Sequence, residues 1–244
     1  MAGDRPDWRD PDAYASLLTV DRSGWAWEWL RRDDGYRRAA RGAANRGEPA
    51  SRPHNWGLHR FEDPALGAAE ARPLWTHEYS AFVLDASVGV LVSAGIDLEG
   101  LTRLKRRLGG ERILIANGLS ALRLDIAPDL AAAATFLVGA APERLGAQIV
   151  ALQQVERLAR TGCLATAPLS RARAARLARL LRVSDALATD ASQRRIAEHL
   201  FDSDAAKARW RIELPTVRLQ VQRLVRQART MAAGGFRALL LRND

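Results

Sequence analysis

The residues with the most evident chemistry are arginines and glutamines at helical spacing near the C-terminus. After Pro215, apolar residues recur at Val217, Val221, Leu224, Ala228 and Met231, steps of four, three, four and three that mark one buried stripe of an amphipathic helix. Thr216, Arg218, Gln222, Arg223, Arg226 and Arg229 fall outside that stripe. Arginine can donate twice to a guanine edge and glutamine can pair bidentately with adenine, so this face has the chemistry of base readout in a major groove. Ahead of it, Ser192-Gln-Arg-Arg-Ile-Ala-Glu-His-Leu-Phe201 reads as a short helix with Ile196, Ala197 and Leu200 on its inner face. A short helix, a break and a longer basic helix is the plan of a helix-turn-helix, whose second helix enters the groove. The break from Asp202 to Glu213 is longer than a minimal turn, so any such motif is a variant. The same pattern also fits an amphipathic helix whose arginines simply face water.

A second basic element lies upstream. Arg171, Arg173, Arg176, Arg179 and Arg182 are interleaved with Leu177, Leu180 and Leu181. Arg173, Arg176 and Arg179, every third residue, form a ladder that can neutralise successive phosphates without reading sequence. Base readout is therefore expected from Thr216, Arg218, Gln222 and Arg223, and phosphate contact from Arg173, Arg176, Arg179, Arg194, Arg195 and Arg226. The charge distribution points the same way. The chain has 244 residues and a net charge of +9. Residues 139–244 carry 19 Arg and Lys against 9 Asp and Glu, net +10, leaving 18 against 19, net −1, for residues 1–138. A strongly basic segment joined to a neutral one is where an anionic partner is sought. Only Lys105 and Lys207 are lysines, and this arginine bias with abundant alanine also matches a GC-rich genome.

Other chemistry is sparse. The four histidines, His54, His59, His77 and His199, are scattered, and none stands at metal-ligand spacing from Cys163 or a carboxylate. The single cysteine excludes a disulfide framework, and Cys163 after Gly162 reads as a thiol at a helix end. There is no P-loop, dinucleotide glycine fingerprint or nucleophile elbow. No enzyme, cofactor or metal is expected. The longest apolar run, Leu130 to Ala141, is too short to span a bilayer, and the first residues lack the basic and apolar regions of a secretory signal, so a soluble cytoplasmic protein is expected.

The elements that must position these residues fall into three stretches, giving an α+β expectation. Residues 5–71 form an aromatic-rich helical domain. Asp12 can cap a short helix through Leu18, and a second helix follows Gly24 through Trp25-Ala-Trp-Glu-Trp-Leu-Arg-Arg to about Arg41. Gly42 to Pro53 reads as a loop. The aromatics Trp8, Tyr14, Trp25, Trp27, Trp29, Tyr36, Trp56 and Phe61 suit the core of a small domain. A stacking surface for unpaired RNA bases, with Arg31 and Arg32 beside Trp29, is the other reading. Residues 72–138 form a small, mostly antiparallel sheet, with strands at Phe82–Ala86 and Val88–Val92, a short helix at Leu98–Leu108, and a hairpin of Glu111–Ala116 with Leu119–Ile126 turning at Asn117-Gly118. Residues 139–244 are helical. Arg144 to Arg160 carries apolar Leu145, Ile149, Leu152, Val155, Leu158 and Ala159 and ends at Gly162. Ser170 caps a helix to about Thr189, Asp190 or Ser192 caps one through Leu200, and Pro215 opens the last, which ends at Gly234-Gly235.

Two resemblances emerge from these residues. Asp7-Trp8-Arg, Tyr14, Trp25-Ala-Trp-Glu-Trp-Leu-Arg-Arg, Tyr36-Arg37, Trp56-Gly-Leu and Phe61-Glu-Asp-Pro64, closing on Pro73-Leu-Trp75, resemble the transcriptional regulator-like domain of proteobacterial proteins. Arg182-Val-Ser-Asp-Ala-Leu-Ala, Ser192 to Phe201, Trp210, Val217-Arg218, Val221 to Arg226 and Gly234-Gly-Phe-Arg-Ala-Leu-Leu240 resemble the DNA-binding domain of RovC-type type VI secretion transcription factors, a domain also found in activators and antiactivators of conjugative-element transfer. The resemblance implies a DNA-binding regulator of mobile-element or secretion genes with a variant helix-turn-helix. It implies double-stranded DNA as the partner, with a related regulator and self-association as further ones. Asp202 departs from the pattern, standing where a glycine commonly follows Leu-Phe, and so weakens the case for a left-handed turn there. The alternative function is an antiactivator that binds a related activator through the same helical domain. Leu219, opposite the buried stripe, suits such a protein interface, whereas the net +10 suits phosphate.

Overall fold

Asp21 starts the first helix, α1 (Arg22–Leu30): its backbone is extended and its carboxylate accepts the Gly24 N–H at 2.7 Å. The computed structural model describes residues 5–46, 52–87, 89–90, 102–105, 111–116, 120–126, 136–137, 141–164, 169–201 and 215–241. Packing divides the chain into two compact units that do not follow chain order. Residues 1–19 belong with 169–235, and residues 20–168 with 236–244. The stretches 5–71, 72–138 and 139–244 are divisions of composition and charge, and packing groups the residues otherwise.

In the larger unit, α1 is buried on all sides. Trp25, Trp27 and Trp29 are each 2% exposed or less, as the core reading expects, and the alternative of a stacking surface for RNA bases finds no exposed ring among them. Rings of this size dominate the burial available to a small domain and are held inside it. The Trp27 indole donates to the Leu66 carbonyl at 3.0 Å, and Tyr36 packs edge-on to Trp27 and Trp56. Arg31 and Arg32 also turn inward. Both pair with the buried carboxylate of Glu28, whose second oxygen accepts the Ala68 N–H at 2.8 Å. Burial pushes Glu28 up, but the two guanidinium groups outweigh it and hold the carboxyl below its ordinary range. The single helix expected to run to Arg41 is broken at Arg31–Asp33. A new helix, α2 (Asp34–Arg46), starts where the Asp33 carboxylate accepts the Tyr36 N–H, and it continues into the segment expected to be a loop.

The sheet of this unit contains β1 (Val83–Ala86), β2 (Thr102–Lys105), β3 (Glu111–Ala116), β4 (Ala121–Ile126) and β5 (Phe136–Leu137), in the order β2-β3-β4-β1-β5. It is mixed, because β1 runs parallel to β4, with Asp85 opposite Asp125. Three expectations change here. The helix anticipated over Leu98–Leu108 contains β2, an edge strand whose backbone pairs with β3; pairing along a sheet overrides a weak local preference. Of the strand anticipated at Val88–Val92, Gly89 and Val90 are helical and the rest lies outside the described residues. The hairpin forms, but Ala116 pairs with Ala121, so four residues connect the strands where two were expected; Asn117 and Gly118 themselves lie outside the described residues.

Strand alternation separates the two faces. Leu84, Ala86, Ile113, Leu122, Leu124 and Ile126 pack against the helix α3 (Pro142–Thr161) through Ala151, Val155 and Leu158. Leu145 and Ile149, expected on that buried stripe, are 42% and 46% exposed. Ala147 and Ala151 take the inner positions because small side chains let the helix sit close to the sheet. Gly162, with φ 69°, ends α3 as its sequence position indicates. The opposite face carries Arg112, Asp125 and Asp85 in one cross-strand row. Arg123, also on that face, is buried and donates to the Pro73 carbonyl at 2.9 Å. A last short helix, set in sequence after the other unit, returns to this one, where Ala81 donates to the Leu240 carbonyl at 2.8 Å.

The Glu28 cluster sets an acid dependence. A carboxyl whose folded pKa lies below its unfolded value stabilises the fold fully above the unfolded value of about 4.5, and that stabilisation is lost as pH falls through the folded pKa. Urea midpoints measured from pH 6 to pH 3 should fall for the wild type. Glu28→Gln, already destabilised at neutral pH, should show a shallower fall over the same range.

Candidate nucleic-acid interface

The smaller unit is helical among its described residues. Its helices are α4 (Arg171–Ala188), α5 (Gln193–Leu200) and α6 (Pro215–Ala232), preceded by a 3-10 helix at Asp12–Thr19. That last element is tighter than the helix anticipated there, and its entry is shaped by Asp10, which accepts the Asp12 N–H at 2.9 Å. Ser170 and Ser192 cap α4 and α5 by accepting the N–H groups of Arg173 and Arg195. Between them the chain reverses tightly. Asp190 adopts φ 55°, the Ala191 N–H bonds the Ala186 carbonyl and the Asp190 N–H bonds that of Leu187. This is the paired hydrogen-bond pattern of a Schellman termination, made here without glycine.

Ile196 and Ala197 of α5 meet Val183 and Ala186 of α4 and Val221, Val225 and Ala228 of α6 in one core. Leu200, Phe201, Val217 and Leu224 pack at its edge. Trp8 completes it at 2% exposure, although it is 174 residues from Arg182 in sequence. Arg182 fixes that approach: Nε donates to the Trp8 carbonyl at 2.9 Å and Nη2 to the Arg9 carbonyl at 3.1 Å. One turn further on, the Tyr14 hydroxyl donates to the buried Asp185 at 2.7 Å, with Arg5 3.9 Å from the other oxygen of that carboxylate. Arg182, Asp185, Tyr14 and Trp8 are the residues that sequence reasoning missed as positioning groups for these helices. Nothing in local spacing could reveal them.

The outward face of α6 exposes Thr216, Arg218, Leu219, Arg223 and Arg226, with Gln222 half-buried at its margin. At about 100° per residue, Arg218 and Gln222 share one flank while Thr216 and Arg223 share the other, with Leu219 and Arg226 between them. Arg218 and Arg223 are thus about 140° apart around the helix and do not point to one spot. On α4, Arg176 and Arg179 are exposed, and the Arg179 guanidinium sits 5.8 Å from the Phe201 ring centroid. Arg173 is half-buried, and the ladder closes on Arg182, which binds backbone. Arg194 and Arg195 are exposed on α5, with Arg194 3.1 Å from Glu198 one turn on. Asp202, Trp210 and the rest of the α5–α6 connection lie outside the described residues.

Three histidines that look scattered in sequence converge in the larger unit. His54 and His59 stack edge-on at 5.4 Å, and His59 Nε2 and His77 Nδ1 lie 3.9 Å and 3.7 Å from opposite oxygens of Asp125. Their separation along the chain hides a proximity that the fold creates. Cys163 is exposed. Among the described residues no helix is long and apolar enough to cross a membrane.

Residues 133–241 match the family model described as the DNA-binding domain of a type VI secretion transcription factor, RovC-type, and residues 7–61 match the proteobacterial transcriptional regulator-like domain. A search of curated proteins and a search of solved structures gave no match.

Truncating Trp8 leaves a large void in the core shared by α4, α5 and α6. Trp8→Ala should lower the unfolding free energy of this unit by about 3–5 kcal/mol, read from denaturant titrations monitored by circular dichroism.

Proposed function

We propose that this chain, which joins a proteobacterial transcriptional regulator-like domain to a RovC-type DNA-binding domain, regulates transcription of secretion or mobile-element genes by laying α6 into the major groove. The observation that carries the reading is the two-sidedness of α6. One face is closed into the core with Val221 and Ala228 fully buried, and the other presents Arg218, Arg223 and Arg226 to solvent. A helix so anchored can be held at a fixed depth in the groove while its outer side chains reach base edges. Thr216 and Arg223 on one flank, and Arg218 and Gln222 on the other, would read bases. Arg173, Arg176, Arg179, Arg194, Arg195 and Arg226 would hold phosphates on either side. The residues between α5 and α6 form the turn of the variant motif in this reading.

Leu219 favours a second reading. At 54% exposure it is the most exposed of the large apolar side chains among the described residues, and it sits at the centre of the outward face of α6. An apolar side chain there suits a contact with a related regulator, which an antiactivator would make with the same domain.

Binding of the full chain to genomic DNA fragments at several salt concentrations tests the choice. Five to seven arginines on phosphates should give a slope of log K against log[salt] of about −4 to −6 on duplex DNA. A slope near zero, or no binding at low salt, would transfer the reading to the protein interface.

Two substitutions separate readout from charge. Arg223→Lys keeps the charge but loses the planar fork, so affinity for the selected fragment should fall by about 1–3 kcal/mol with binding to random DNA nearly unchanged. Arg176→Ala should weaken both alike and flatten the salt slope by about 1. Equal losses on the two DNAs for Arg223→Lys would move base readout to another surface.

A further inference from the structure

On the polar face of the sheet, Asp85 of β1 stands directly opposite Asp125 of the parallel strand β4, and Arg112 of β3 stands opposite Asp125 on the other side. Two carboxylates facing each other across neighbouring strands repel unless cations neutralise them. Arg112 supplies one positive charge, 3.2 Å from Oδ1 of Asp125, and among the described residues Asp85 has no ion-pair partner. Oδ2 of Asp125 is turned toward His77 Nδ1 at 3.7 Å. The outer nitrogen of the same ring, Nε2, lies 3.3 Å from the Glu78 carboxylate. One donor atom each from His77, Asp85 and Asp125 lies within 4.8 Å of the others.

A second observation points into the same place. His59 has a side chain 3% exposed, and among the described residues neither ring nitrogen has a hydrogen-bond partner, although Nε2 is only 3.9 Å from Oδ1 of Asp125. A buried imidazole with both nitrogens unsatisfied is costly in a folded protein, and its lone-pair nitrogen calls for a proton donor or a metal ion.

We propose that His77, Asp85 and Asp125 bind a divalent transition-metal ion such as zinc, with the buried His59 beside Asp125 as a further imidazole at the edge of the site. Tetrahedral bonds of about 2.0–2.2 Å put neighbouring donor atoms about 3.2–3.6 Å apart, so donors now up to 4.8 Å apart must approach by at most about 1.2–1.6 Å to close on the ion. A mixed imidazole and carboxylate set suits zinc and its first-row neighbours better than calcium or magnesium. The surroundings already have the form of a metal-site periphery. Glu78 orients His77 through the nitrogen that does not face the site, and Arg112 holds one oxygen of Asp125 so that the other is presented. Asp85, Asp125 and Glu78 against Arg112 leave two negative charges for a dication to neutralise. Because the ligands come from β1, β4 and the segment before β1, the ion would pin the sheet to the chain that crosses its polar face.

The full-length protein titrated with Co²⁺ in the absence of DNA tests this through the visible ligand-field bands that a tetrahedral nitrogen–oxygen site produces. One equivalent should bind, and Zn²⁺ should displace it. His77→Ala, at a half-exposed position where folding should be unaffected, and the isosteric Asp85→Asn should each weaken Co²⁺ about tenfold or more. His199→Ala, in the other unit, should leave the titration unchanged. Absence of a one-equivalent spectrum, or a His77→Ala protein that binds as the wild type does, would overturn the proposal. DNA binding is not measured in this experiment, so its outcome is independent of the regulatory reading.

Discussion

An indole from the eighth residue closes a core that α4, α5 and α6 otherwise leave open, and the placement of the basic helices depends on it. Helices as alanine-rich as α4 offer little apolar bulk: Ala174, Ala178 and Ala186 are buried beside Leu177, Leu180, Leu181 and Val183. A large ring supplies volume that these side chains do not. Arg182 and Asp185, one turn apart on α4, then fix the incoming chain by its carbonyls and by the Tyr14 hydroxyl. The polar contacts carry direction and Trp8 carries burial, so the angle at which α4 meets its neighbours is set from outside the helical segment.

Arginine has two separate uses here, which composition alone cannot distinguish. Arg31 and Arg32 neutralise a buried glutamate, Arg123 and Arg182 bind backbone carbonyls, and none of these four is available to a ligand. Burial pulls the Arg123 and Arg182 pKa values down from the ordinary arginine value, which still leaves guanidinium the one side chain that keeps its charge in such places. Arg176, Arg179, Arg218, Arg223 and Arg226 are exposed on helices whose opposite sides are packed. The +10 of the C-terminal segment is thus a gross figure, and what a polyanion meets is the part that remains after the structural arginines are set aside.

What could be read in the chain beforehand was local. Ser170, Ser192, Pro215 and Gly162 act within a few residues of themselves, and each does what its position indicates. The stripe on α6 could be located because large residues repeat along it. On α3 the same periodicity misleads, since Leu145 and Ile149 are larger than Ala147 and Ala151 yet lie outside, and only the closeness of the sheet decides the rotation. Both the Trp8 insertion and the His59, His77, Asp85 and Asp125 cluster unite residues separated by whole elements. No spacing rule reaches that far, because the proximity is made by strand order and chain return.

The division of the chain into units has a bearing on synthesis. The helical unit takes residues 1–19 together with 169–235, and the other unit takes the residues between them and closes on the segment from Phe236. A nascent chain emerges from its N-terminus, so Trp8 is made early and must wait for α4, α5 and α6 before it has a core to enter. Translation at about 5–20 residues per second makes that wait roughly ten to forty-five seconds long. A product cut short between α4 and α6 therefore holds the arginine ladder without the packing that completes its core. The interleaved architecture makes the packing of the helical unit wait for chain made on both sides of residues 20–168.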